Sequence, residues 1–185
     1  MTDTDKFFPS YFADLAEKIV NFDCSVLLAA ASVLKKTSRE GGKIILAGNG
    51  GSAAIASHVS VDLTKSARLR AVNFNEADLI TCFANDYGYE HWIEKALVFY
   101  ADPNDALVLI SSSGKSQNIL NGALRASEMG LKLITLSGFN SDNPLRQLGD
   151  INFWCNSKAY NIVEMTHQIW LLALVDYLGR QDLHE

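Results

Sequence analysis

A chain of 185 residues, 48% of them hydrophobic, can bury one substantial core and reads as one globular domain spanning residues 1–185. Its net charge of −5 leaves no basic footprint for nucleic acid, and no apolar run is long and unbroken enough to cross a membrane. Cys24, Cys82 and Cys155 are scattered and odd in number, which fits free thiols in a reducing cytoplasm better than a disulfide frame or a zinc knuckle; the opening residues carry no secretory signal.

Residues 1–5 are polar and expected to fray. From about Phe7 to Thr37, the residues Tyr11, Leu15, Ile19, Phe22, Val26, Ala30 and Val33 recur at steps of three and four, the period of one long helix. Such a helix overhangs a domain of this size, so residues 1–40 are expected to form an oligomerisation segment. A broken hairpin folded on the same domain is the alternative.

The run Ile44–Ala47 is short, apolar and partly β-branched, and reads as a strand buried on both faces. It ends at Gly48-Asn49-Gly50-Gly51-Ser52, where glycine lets backbone amides approach a ligand and Ser52 stands where a helix N-cap would. Strand, turn and helix N-terminus together make an anion site suited to phosphate. The loop matches neither the P-loop nor the dinucleotide fingerprint, so a plain β-to-α connection stays open. The next helix, 53–66, carries His58 and Asp62 on one face, as a site or as a surface pair.

A strand at 70–74 and helices at 76–84 and 90–99 follow, with Asn85-Asp86-Tyr87-Gly88 as the turn between the helices. His91 beside Trp92 reads as packing, and Asp78, Glu90 and Glu94 as solvated charges. Asp105–Ser111 is a second buried strand, and it runs into Ser111-Ser112-Ser113-Gly114-Lys115-Ser116 and a helix near Gln117. Two such loops at the ends of parallel strands would face one crevice. Lys115 could meet an anion there or point into solvent.

A strand at 131–136, a short helix near 143–148 and a strand at 151–154 lead to a closing helix, 159–178, bearing Glu164 and His167. His167 reads as structural rather than as a ligand, and His184 as tail. Alternating strands and helices predict an α/β three-layer sandwich around a five-stranded parallel sheet in flavodoxin-like order, plus the long N-terminal helix.

The motifs Gly48–Ser52, Asn85–Gly88 and Ser111–Ser116, in that order and spacing, resemble the sugar isomerase (SIS) domain, and within it the phosphoheptose isomerase branch. The resemblance covers nearly the whole chain. It implies a homotetramer with sites between subunits and a phosphorylated sugar as ligand. Ser52, Ser111, Ser112 and Ser116 would hold the phosphate, with Asn49 and Asp86 facing the sugar and Gly50, Gly51 and Ser113 completing the substrate-binding loops.

It also implies a catalytic set that this chain alters. The family carries a His and, four residues on, a proton-transferring Glu, which match His58 and Asp62. On the last helix it carries a Gln and, eight residues on, a His, which match Glu164 and Leu172, while a family Asp matches Asn161. Several of these groups bind zinc in the family, so His58, Asp62 and Glu164 are the implied catalytic and metal residues here.

Isomerisation needs a base at a C–H and an acid at the neighbouring oxygen. Asp62 is one methylene shorter than Glu, and Leu172 offers no proton or ligand. His167, five residues before Leu172, lies roughly 140° round the helix and is no automatic substitute. His58, Asp62 and Glu164 would still make three N/O zinc ligands with an open position. Three functions follow: an isomerase making a heptose phosphate for surface glycan, an isomerase of another sugar phosphate, or a non-catalytic sensor or protein-binding tetramer akin to the DnaA initiator-associating proteins.

Overall fold

The computed structural model describes residues 3–181, and His184 lies outside them. The elements are α1 (Asp3–Val20), α2 (Cys24–Arg39), β1 (Ile44–Gly48), α3 (Gly51–Lys65), β2 (Ala71–Asn73), α4 (Ala77–Tyr87), α5 (Trp92–Tyr100), β3 (Ala106–Ser111), α6 (Gln117–Glu128), β4 (Lys132–Ser137), β5 (Ile151–Trp154) and α7 (Tyr160–Gln181). All strand pairings are parallel, and the order is β2-β1-β3-β4-β5. The expected α/β sandwich with a flavodoxin-like sheet is therefore what forms.

The period of two explains the layers. Ile44 and Leu46 of β1, Val108 and Ile110 of β3, and Ile134 and Leu136 of β4 face a core shared with α2, α3 and α7. Their alternates Ile45, Ala47, Leu107, Leu109 and Leu133 face a second core with α5 and α6. Because β1 has β2 on one side and β3 on the other, the chain reverses direction across the sheet between them. The loops after β1 and β3 open into that crevice.

Four expectations need correction. The N-terminal helix is two helices, broken at 21–23. Asp23 caps α2 by accepting the Ser25 N–H at 2.9 Å, which also lowers its carboxyl pKa. Phe22 turns inward at the break and stacks on Trp170, with ring centroids 3.9 Å apart. The hydrophobic stripe runs on through the break, which is why periodicity alone missed it. Second, Ser52 lies within the first turn of α3, and Gly50 is the N-cap at φ 54°. Third, Asn85, Asp86 and Tyr87 form the last turn of α4, which ends at Gly88 with φ 87°. Fourth, the helix expected near 143–148 is a single 3₁₀ turn, Leu145–Gln147.

Cys24 and Cys82 are exposed free thiols and Cys155 is a buried one. Among the described residues no helix is long and apolar enough to cross a membrane.

Candidate active site

The first loop leaves β1 at Gly48, where a Cβ would collide with the Ser52 backbone. The N-terminus of α3 has no side-chain cap. Asn49 is clasped by a reciprocal amide pair with the buried Asn118: its Nδ2 donates to Asn118 at 2.9 Å, and Asn118 Nδ2 donates back at 2.8 Å. Tyr89 OH also donates to Asn49 Oδ1 at 2.9 Å. The amide is thus fixed in one orientation, with its second N–H left for a ligand.

The second loop leaves β3 at Ser111 and turns at Gly114, whose φ is 64°. A Cβ at Gly114 would collide with Asn143. The buried Asn143 amide bonds Ser137 Oγ, Gly138 O and Asn140 O, and the Gly138 N–H bonds Ser112 O at 2.9 Å. The loop is therefore pinned to the end of β4. Ser116 is the N-cap of α6, yet its hydroxyl makes no capping bond and lies 3.4 Å from Ser111 Oγ. Ser112 Oγ is buried without a hydrogen-bond partner.

Between the loops lies a cavity of about 110 Å³ lined by Asn49, Ser52, Ile110, Ser111, Ser112, Ser113, Ser116, Tyr160 and Glu164. Glu164 reaches it from α7, and its carboxylate lies so close to Gly51 that a Cβ there would collide with it. Glu164 is the one carboxylate in this lining, which holds no Lys, Arg or His. The site thus combines hydroxyl donors, two uncapped helix ends and one carboxylate.

The structure gathers Asn49, Ser52, the four loop serines and Glu164, with Gly50 and Gly51 forming the turn. It does not bring the others to this cavity. Lys115 is exposed and outside the lining. Asp86 is exposed on α4, beside Asn85 and Cys82. His58 and Asp62 pair with each other at 3.1 Å, further along α3. Helices α3 and α7 run side by side in one direction: Gly51 meets Glu164, His58 meets Gln168, and Gly179 meets Ser66. His58 is therefore about 10 Å along the axis from Gly51.

Those contacts test the implied zinc set. Both His58 nitrogens are engaged, Nε2 with Asp62 and Nδ1 with Gln168 at 3.2 Å. Leu172 is packed against the core, and among the described residues no three His, Cys, Asp or Glu side chains converge. Within one chain the donors do not converge into the zinc site the resemblance implies, and no step below runs through a metal.

His167 is structural. It is fully buried, its Nε2–H donates to Ser137 O at 3.0 Å, and burial pushes its pKa down to about 4. Away from the cavity, Glu94 is half-buried rather than solvated. His91 and Arg125 both bond it, which lowers its pKa.

Sequence reading missed Asn118, Tyr89, Tyr160, Gln168 and Asn143. Tyr160 and Gln168 stand four residues either side of Glu164, so helical spacing could have found them. Asn118, in the first turn of α6, could have been found from the loop it follows. Nothing local marks Asn143.

A parallel doubly wound sheet whose crevice presents two helix N-termini and a ring of serines is an α/β architecture suited to an anion. Residues 8–138 match the SIS domain, and the chain belongs to that family. The phosphoheptose isomerase of Chlorobaculum parvum is 36% identical over 136 residues, which are 69% of this chain and only 65% of that protein's length. The phosphoheptose isomerase of Helicobacter pylori strain HPAG1 is 31% identical over 156 residues, 81% of each chain. The solved structure of a phosphoheptose isomerase from Francisella tularensis aligns with a TM-score of 0.87 and 27% identity, covering 97% of this chain and 100% of that one.

Proposed function

We propose that this chain is an aldose–ketose isomerase for a phosphorylated sugar, of the phosphoheptose isomerase type. The observation that carries the reading is one cavity holding both a hydroxyl-lined anion seat and a single carboxylate, Glu164. The relatives are named for the same reaction class. Sedoheptulose 7-phosphate is the substrate to try first, and its aldose product would feed heptose for surface glycan.

In this reading the phosphate sits at the N-terminus of α6, on the hydroxyls of Ser111, Ser112, Ser113 and Ser116. The carbonyl end then lies toward Asn49, Ser52 and Glu164. Glu164 takes the proton from the carbon beside the carbonyl and returns it to the former carbonyl carbon. The Asn49 N–H and the Ser52 hydroxyl hydrogen-bond the oxygens of the enediolate that this leaves, and the substrate's own hydroxyl proton passes to the neighbouring oxygen as the carbon is reprotonated, so that no proton is gained or lost overall. A cytoplasmic homotetramer belongs to the proposal. Its support is the exposed aromatic surface of α1, where Phe7, Phe8 and Phe12 are 60%, 64% and 61% exposed.

A binding-only protein is the second reading, favoured by Leu172 and by the self-paired His58. NMR of the protein with sedoheptulose 7-phosphate decides between them. Turnover abolished by Glu164→Gln and retained by Asp62→Ala supports the assignment. Loss only in Asp62→Ala moves the base to that pair, and binding without turnover makes the chain a sensor.

A further inference from the structure

We propose that Glu164 makes the cavity charge-selective, admitting a sugar monophosphate with an uncharged far end and rejecting one that carries a second anion there. This rests on the phosphosugar reading above and narrows its substrate class.

The two loops offer two backbone anion sites of the same kind, since α3 and α6 both begin without a side-chain cap. Their surroundings differ. At α6, Ser112 lines the cavity, is only 5% exposed, and its buried hydroxyl has no partner. Such an orphan hydroxyl is a donor kept for a ligand oxygen. No carboxylate lies in that loop.

At α3 the protein supplies its own anion. Gly51 has no side chain, and that absence lets the Glu164 carboxylate lie against the first turn, where any Cβ would collide. Among the described residues, none lining this cavity is Lys, Arg or His. A second anion on the ligand would face Glu164 with no cation to offset it. Like charges a few ångströms apart in a partly closed site lower affinity by about tenfold or more. A hydroxyl or carbonyl at that end meets the carboxylate and the Asn49 N–H as hydrogen-bond partners instead.

Calorimetric titration with inorganic phosphate, glucitol 6-phosphate and 6-phosphogluconate tests this. The two sugar phosphates share a chain length and differ at C1, a hydroxymethyl against a carboxylate. The wild type should bind glucitol 6-phosphate at least about tenfold more tightly than 6-phosphogluconate. Glu164→Gln should narrow that ratio to about threefold or less, with an unchanged circular-dichroism spectrum reporting an intact fold. Ser112→Ala should weaken all three and keep the ratio. A wild-type ratio near one, or an equal ratio in Glu164→Gln, overturns charge selection and leaves the phosphate seat standing. No binding of any of the three by wild type overturns the seat and the selection together.

Discussion

The two glycine loops are built alike and backed differently. Each is a buried strand end, a positive-φ glycine and an uncapped helix start. Helix α7 stands behind both, through different residues. Glu164 places a carboxylate on the first loop, whereas His167 holds Ser137 O, beside the Asn143 network that pins the second. The local sequence therefore supplies dipole and amides, and residues far along the chain decide which ligand group each loop receives. On the proposed reading, the second loop is the anion seat and the first carries the base of an aldose–ketose isomerisation.

The comparison breaks most sharply at the carboxylate. Glu164→Gln should lower turnover by about 10² to 10⁴ with little change in KM, because the interaction lost is made in the transition state. Asp62→Ala should cost less than about tenfold, as a surface pair remote from the cavity. Steady-state assays of both variants read the difference.

The second loop is more sensitive to backbone than to charge. Gly114→Ala forces a side chain into a left-handed φ and onto Asn143, and should destabilise the fold by about 2–3 kcal/mol in urea titration. The same change should weaken phosphate binding, because the loop cannot keep its hydroxyls convergent.

Acid should reach the second loop through His167. Its folded pKa of about 4 lies below the ordinary 6.5, so the unfolded chain takes up the proton first. Stability is then complete above about pH 6.5 and falls as pH drops toward 4, by about 2 kcal/mol between pH 7 and pH 5. His167→Gln removes the titration, and its stability should fall less over that interval than that of the wild type.

Much of this was legible in the sequence for one physical reason. Strands Ile44–Gly48 and Ala106–Ser111 are apolar on both faces and stop at glycine or serine, so their ends and the loops after them are locally determined. The break at 21–23 was not legible, because Phe22 keeps the helical stripe while Asp23 ends the helix on it. Ser52 was assigned to the wrong helix position because Gly50 and Ser52 are both credible caps, and φ decides between them. Within one chain, Glu164 and the His58–Asp62 pair stay apart for a geometric reason. His58 and Glu164 occupy different turns of parallel helices, and no spacing rule within one helix reports the offset between two.

The smallest effect separates the loops most cleanly. Ser112 Oγ is buried with no partner, so the free protein already bears the cost of a desolvated hydroxyl. Ser112→Ala removes that cost, and the free variant should be as stable as wild type or more stable by up to about 1 kcal/mol. With phosphate bound the order should reverse, because the wild-type hydroxyl then donates to the ligand and the alanine cannot. Thermal unfolding with and without saturating phosphate reads both states in one experiment, and the stabilisation by ligand should shrink by about 1 kcal/mol or more in the variant. Equal ligand stabilisation in the two proteins would mean that the phosphate does not reach Ser112. The first loop offers no counterpart to this crossover, since the carboxylate lying against it belongs to the protein.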